Sequence, residues 1–307
     1  TCLQLLPGEG AVVGPVLCSS PNVSGVCFTG STATAQAINR VMAESLPPQG
    51  PLIAETGGLN AMIIDSTALL EQAVQDVVVS AFQSAGQRCS ALRMLYVQSD
   101  IADAFERMLY GAMQALVVGP PEAADCDVGP VIDAAAQARI SAHIARHRVL
   151  FQKSAPENGY FVAPTILSVS GMSDLHEEIF GPVLHLARYD AGDLDRVIDD
   201  INASGYGLTF GFHSRIDDRV QKVVSRVNVG NLYINRNQIG AVVGSQPFGG
   251  HGLSGTGPKA GGPRYLPRFA AQRLMTAEGP LPPQMSLAEL EQAFAAQAPQ
   301  RSHTTED

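Results

Sequence analysis

Cys89 stands in the stretch GQRCSA at residues 86–91, just beyond an apolar segment that closes at Ser84 and Ala85. A thiol carried on a tight turn at a domain junction could attack a carbonyl carbon as a soft nucleophile, provided its surroundings favour the thiolate. On residue type alone, the commoner fate of such a cysteine is that of a small buried core residue. Glu55 opens ETGGLN at residues 55–60, where two glycines after a strand leave the backbone free to present a carboxylate at an edge. Near a thiol, that carboxylate could act as general base toward water. Its ordinary alternative is a solvated surface group. Thr29, Gly30 and Ser31 place a glycine and small hydroxyls at a helix start, where free N–H groups and the helix dipole favour an anion such as pyrophosphate. A plain helix N-cap accounts for the same residues.

Two further patterns carry less. GHGLSG at residues 250–255 has the spacing of a dinucleotide-binding loop, yet no strand leads into it and no apolar helix follows. His143 and His147 are spaced four apart on a predicted helix but lack the glutamate and third ligand of a zinc site, and they read as surface residues.

The elements that must hold these residues follow a βαβ rhythm. A strand over residues 24–29 is broken by Gly30, and Ser31-Thr32 opens a helix with Ala35, Ile38 and Met42 on one face. Strands are predicted over 51–56, 61–64, 93–97, 161–167, 183–188, 209–212 and 230–234, and helices over 69–82, 101–116, 134–147, 194–201 and 217–227. Two α/β lobes are implied. Residues 240–262 are dense in glycine and read as a loop with close backbone approaches. Beyond about residue 275 the ordering signals fade.

The 307 residues are 45% hydrophobic and 16% charged, enough for a large core. A formal net charge of −9 without any Lys/Arg cluster argues against nucleic acid as a partner. No apolar run approaches the roughly 18 residues of a membrane span. The five cysteines, Cys2, Cys18, Cys27, Cys89 and Cys126, form no close pairs, which fits a reducing cytoplasm rather than a disulfide framework.

Taken in order, VCFTGST, ETGGLN, GQRCSA, EEIFGPV at residues 177–183 and PFGGHGLSG at 247–255 resemble the aldehyde dehydrogenase superfamily over nearly all of residues 3–262. The resemblance implies an α/β aldehyde dehydrogenase-like fold, with a Rossmann-type cofactor domain whose N-terminal part lies upstream and an α/β catalytic domain. On that pattern residues 1–58 end the NAD-binding domain, 59–257 form the catalytic domain, 258–275 are a return segment and 276–307 a flexible tail. It makes Cys89 the nucleophile and Glu55 the base. Gly30 and Ser31 approach the pyrophosphate of NAD, Glu178 holds the nicotinamide ribose, and Phe180 packs beside it. The oxyanion is expected at the Cys89 N–H and at an asparagine upstream of residue 1.

The stretch YINRNQIGAVVGSQPFGGHGLSGTGPKAGGP at residues 233–263 is most similar to the glutamate-semialdehyde dehydrogenase module of the bifunctional proline-utilisation enzymes. This implies oxidation of glutamate γ-semialdehyde to glutamate, with Ser90, Gly240 and Ala241 gripping the substrate carboxylate and Phe248 packing on its aliphatic chain. FAD belongs only to an upstream proline dehydrogenase domain, and the longer protein is expected to be a homo-oligomer. The family's aromatic-Pro-Trp-Asn segment is not found, and there is no Trp. The chain therefore reads as a fragment of a longer polypeptide or as a truncated, inactive product. Two other readings stay open: an aldehyde dehydrogenase of another substrate, and a cysteine hydrolase or noncatalytic remnant. Glu178 and Phe180 argue against the last, since a hydrolase has no ribose to grip.

Overall fold

Ala61, Met62, Ile63 and Ile64 carry side chains that water cannot reach on either face of an extended segment, and the same holds for Met94 to Val97. Runs of this kind belong to central parallel strands covered on both sides. The computed structural model places them so. It describes residues 3–47, 50–242 and 244–270, together with residue 292. Cys2 and nearly all of the predicted tail lie outside the described residues.

The chain runs α1 (Gly10–Cys18), β1 (Val26–Thr29), α2 (Thr32–Ser45), β2 (Leu52–Glu55), β3 (Ala61–Ile64), α3 (Leu70–Phe82), β4 (Met94–Gln98), α4 (Ser99–Ala115), α5 (Ala134–Ile144) and β5 (Arg148–Gln152). It continues with β6 (Thr165–Ser168), β7 (Val183–Tyr189), α6 (Leu194–Ala203), β8 (Tyr206–Gly207), β9 (Thr209–His213), α7 (Asp217–Arg226), β10 (Asn231–Ile234) and β11 (His251–Gly252). Strands β1 and β2 form a parallel pair, with Thr29 opposite Glu55. A seven-stranded sheet has the order β10-β9-β3-β4-β7-β6-β5. All its neighbours are parallel except β5 and β6.

One face of this sheet is covered by α3 and α4, whose Val74, Val77, Phe105 and Leu109 pack on Met62, Leu95 and Leu184. The other face is covered by α6 and α7 through Val197, Ile198, Ile201 and Val223. The predicted strands and helices appear within a few residues, with two exceptions. The helix predicted to run to His147 stops at Ile144, and β5 follows after a turn of three residues. Helix α1 has no predicted counterpart, because its valines and leucines show no helical spacing, Pro15 interrupts it, and only Cys18 is buried.

The reading of His143 and His147 as surface residues is corrected. His143 Nε2 lies 2.8 Å from Nε2 of the buried His185, and the His143 and His147 rings lie 4.3 Å apart, tilted by 36°. Burial holds both His143 and His185 neutral, with pKa values lowered to about 4. His213, at the end of β9, is likewise buried and lowered to about 4. Its Nε2 sits 3.6 Å from Asp76, whose carboxyl burial pushes up; with the imidazole neutral near pH 7, the contact is not an ion pair.

This gives a test of stability. The unfolded chain binds a proton at His213 between pH 6.5 and about 4 that the folded chain refuses, so stability falls as pH drops through that window. Replacing His213 by Asn removes this titration. The difference in melting temperature between wild type and His213→Asn, followed by circular dichroism, should shift in favour of the variant as pH falls from 6.5 to 4. A constant difference would refute the assignment.

Candidate active site

Strand β2 delivers Glu55 to its C-terminal end, and Gly57-Gly58 turns the chain into β3. A Cβ at Gly57 would lie 1.7 Å from Glu178 Oε2, so a larger residue there would displace that carboxylate. Glu178 thus seats its carboxylate on the turn that follows Glu55, although it comes from the segment before β7. Its Oε1 accepts from Arg93 Nη2 at 3.2 Å.

Arg93 leads into β4 and is buried, with 1% of its side chain exposed. A buried guanidinium needs a carboxylate and carbonyls around it. Here Nη1 donates to Gly86 O at 2.7 Å and Gly181 O at 3.3 Å, and Nη2 donates to Arg88 O at 3.1 Å. Its Cζ stands 5.4 Å above the centre of the Phe180 ring. One side chain thereby ties the GQRC turn to the EEIFGP segment.

Cys89 lies on that turn, half-buried and unpaired with any other cysteine. Burial raises its pKa, and the charges of Glu178 and Glu55 raise it further, while the N–H groups of Ser90 and of Cys89 itself favour the thiolate. Cys89, Glu55 and Glu178 therefore share one electrostatic site. Near neutrality its sulfur is a thiol, so forming the thiolate would need a base or an arriving positive charge. Cys18 is buried, Cys126 half-buried and Cys27 exposed, with the Tyr265 hydroxyl 3.2 Å from the Cys27 sulfur. Among the described cysteines only Cys18 is a fully buried core residue.

Glu55 is half-buried, and among the described residues neither carboxylate oxygen accepts a hydrogen bond of normal geometry, the Gly250 N–H being its weak neighbour. It packs on the glycine loop. A Cβ on Gly249 would lie 2.6 Å from Oε1, and one on Gly255 3.4 Å from Oε2. Burial lifts its pKa to about 7, against the weaker pull of the Gly250 N–H and the Lys259 charge. A carboxyl poised at that value exchanges a proton readily near neutrality.

Ser90 is buried beside the thiol. Gly240 is exposed, with φ +76, and Ala241 and Phe248 are half-buried. The two stretches are linked by Gln238, whose Nε2 donates to Ser90 O at 3.4 Å and whose N–H is held by Ser80 Oγ at 3.1 Å. Gly30 donates to Glu55 O at 3.1 Å, which brings the start of α2 to the end of β2. Ser31 caps α2, its Oγ accepting from the Thr34 N–H at 3.2 Å. The plain N-cap is thus present. A cavity of about 500 Å³ runs along α2 past Ala54 and Thr56 and does not include Cys89.

Arg93 and Asn60 were not singled out from sequence. An arginine leading into the apolar run LRMLYV was the available signal for the first, and an asparagine directly after two glycines at a strand entry for the second.

The aldehyde dehydrogenase family profile matches residues 1–274. This chain belongs to the aldehyde dehydrogenase family. Among its aldehyde dehydrogenase relatives, the bifunctional protein PutA of Escherichia coli is 54% identical over 286 residues, covering 88% of this chain and 22% of the relative. The 1-pyrroline-5-carboxylate dehydrogenase of Bacillus subtilis is 36% identical over 274 residues, covering 86% of this chain and 53% of the relative. A solved Bradyrhizobium japonicum proline utilization A superposes with a TM-score of 0.83 at 56% identity, over 86% of this chain and 27% of that one. A Thermus 1-pyrroline-5-carboxylate dehydrogenase solved with bound NAD gives 0.80 at 35% identity, over 86% and 52%. The chain thus spans about a fifth of the PutA relative and about half of the Bacillus one.

Proposed function

We propose that this chain carries the thiol-bearing catalytic part of an NAD-dependent, cytoplasmic aldehyde dehydrogenase acting on glutamate γ-semialdehyde. The observation that carries the reading is the gathering of Cys89, Glu55 and Glu178 into one site from three separate segments, with Arg93 fastening two of them. Residues 1–58 serve in this reading as the end of the cofactor domain, 59–257 as the catalytic domain and 258–275 as a return segment.

Cys89 adds to the aldehyde carbon to give a hemithioacetal, and its thiol proton leaves toward a base. Once the carbon is oxidised, a thioester remains on Cys89. Glu55, with its pKa near 7, takes a proton from the water that hydrolyses it. Glu178 would take the ribose of NAD, with Arg93 and the Gly58 N–H holding its carboxylate on the turn after Glu55. Phe180 would flank the nicotinamide, and Gly30 with Ser31 would face the pyrophosphate from the N-terminus of α2. When bound, NAD accepts the hydride lost by the substrate carbon.

The test is a chimera: the matching segment of Escherichia coli PutA replaced by this chain, assayed for NADH formation from glutamate semialdehyde. Activity comparable to the parent supports the reading, whereas a folded chimera without activity overturns it. In the same chimera, Ser90→Ala should lower kcat/KM for glutamate semialdehyde about 10–100-fold, as expected for losing a hydrogen bond to a charged group. Use of an uncharged aliphatic aldehyde should change by less than about threefold, because it offers no carboxylate for Ser90 to hold. Equal losses on the two substrates would remove Ser90 from the carboxylate anchor.

A further inference from the structure

The turn that carries Cys89 is fastened from behind, carbonyl by carbonyl. Arg88 O accepts from Arg93 Nη2 at 3.1 Å and from the Ala91 N–H at 3.0 Å. Cys89 O accepts from Asn60 Nδ2 at 2.7 Å, and Ala91 O accepts from the same nitrogen at 2.9 Å. Ser90 O accepts from Thr209 Oγ1 at 3.2 Å. Asn60 is itself fully held: it is 2% exposed, its Oδ1 accepts from the Thr209 N–H at 3.1 Å, and its carbonyl takes the N–H groups of Arg93 and Met94.

In a trans peptide the C=O and N–H point in opposite directions. Gripping Arg88 O therefore turns the Cys89 N–H away from Arg93, and gripping Cys89 O turns the Ser90 N–H away from Asn60. Among the described residues neither N–H donates to an oxygen. The Ala91 N–H is different, because it folds back onto Arg88 O.

We propose that Asn60 and Arg93 are positioning residues forming a backbone clamp that aims the N–H groups of both Cys89 and Ser90 at the reacting sulfur and the substrate carbonyl oxygen. The Ser90 main chain then supplies an oxyanion donor from within this chain, beside the Cys89 N–H. Both N–H groups favour the thiolate, which is the consequence such aiming has for the sulfur. The proposal rests on Cys89 being the nucleophile.

The pH dependence of iodoacetamide alkylation of Cys89, resolved from the other cysteines by mass spectrometry on the full 307-residue chain, separates a clamp from mere support. Asn60→Leu keeps the γ-branched shape, with a larger side chain, and removes both N–H donors of Nδ2. With the Ser90 N–H released, the alkylation profile should move up by about one pH unit, and the rate at pH 8 should fall about tenfold. A purely structural role predicts the opposite sign, since a loosened turn admits water to the thiol and lowers its pKa. Thr209→Val removes a buried hydrogen bond from the same turn without turning an N–H toward sulfur, and should leave the profile within twofold. An unchanged or faster rate in Asn60→Leu overturns the clamp.

If Asn60→Leu does not fold, the wild-type chain still decides. The amide resonances of Cys89 and Ser90 should follow the thiol titration in ¹⁵N spectra, and that of Ala91 should not. A Ser90 amide that ignores the titration refutes the aiming. These readouts use the thiol alone. Failure of the chimera to oxidise aldehyde would thus count against the enzyme reading and leave the clamp to be judged separately.

Discussion

Replacing Cys89 by Ser in the PutA chimera is expected to lower aldehyde oxidation by about 10⁴-fold or more, the scale seen when a nucleophile is removed from a site whose other groups remain. A serine hydroxyl fits the same turn but ionises far less readily than a thiol. The site gives it no net help: burial and the charges of Glu178 and Glu55 raise the pKa of the group at this position and outweigh the pull of the Ser90 and Cys89 N–H groups. Arg93, the nearest buried cation, is spent on Glu178 and on three carbonyls. The variant should therefore bind cofactor and substrate and stop before hydride loss. NADH absorbance with glutamate semialdehyde measures the rate, and intact mass after quenching should show an acylated protein only for wild type. A loss smaller than about tenfold would mean that another group attacks, and would sink Cys89 as nucleophile.

Much of the arrangement was legible because periodicity reports burial. The runs AMII and MLYV announce central strands, and the helices that cover them show their apolar faces. Helix α1 was not legible: its apolar residues face out and hold no spacing, so nothing in them distinguishes helix from loop. Edge strand β5 was lost for a related reason, since RVLFQ is only partly covered and follows α5 after a turn of three residues that holds no glycine or proline. At the site, the order of motifs identified Cys89, Glu55 and Glu178, whereas their supports stayed hidden. Asn60, Arg93 and Gln238 act through carbonyls contributed by residues elsewhere in the chain. Such partners leave no spacing in sequence, because any residue can offer a carbonyl.

Glu55→Gln in the same chimera should separate the two halves of the reaction. With its pKa lifted to about 7, Glu55 is about half ionised at neutrality, and only the ionised form can take a proton from water. Steady-state turnover limited by thioester hydrolysis should therefore rise about tenfold per pH unit below 7 and level off above it. Glutamine has nearly the same shape and cannot accept that proton. It leaves the packing against Gly249 and Gly255 in place, so loss of fold is not the expected cause of any defect. Steady-state turnover should fall by about 10²–10⁴, the usual contribution of a general base, and the rising limb near pH 7 should vanish. The first turnover should survive, giving a burst of NADH equal to the enzyme concentration and an acylated Cys89 visible by mass. Glu178 is no substitute, because Arg93 and the Gly57-Gly58 turn hold it in place. Rapid mixing at pH 6, 7 and 8 decides the matter. A burst lost in step with the steady-state rate would move Glu55 from hydrolysis to activation of the thiol, and an intact pH limb in the variant would remove it from the chemistry altogether.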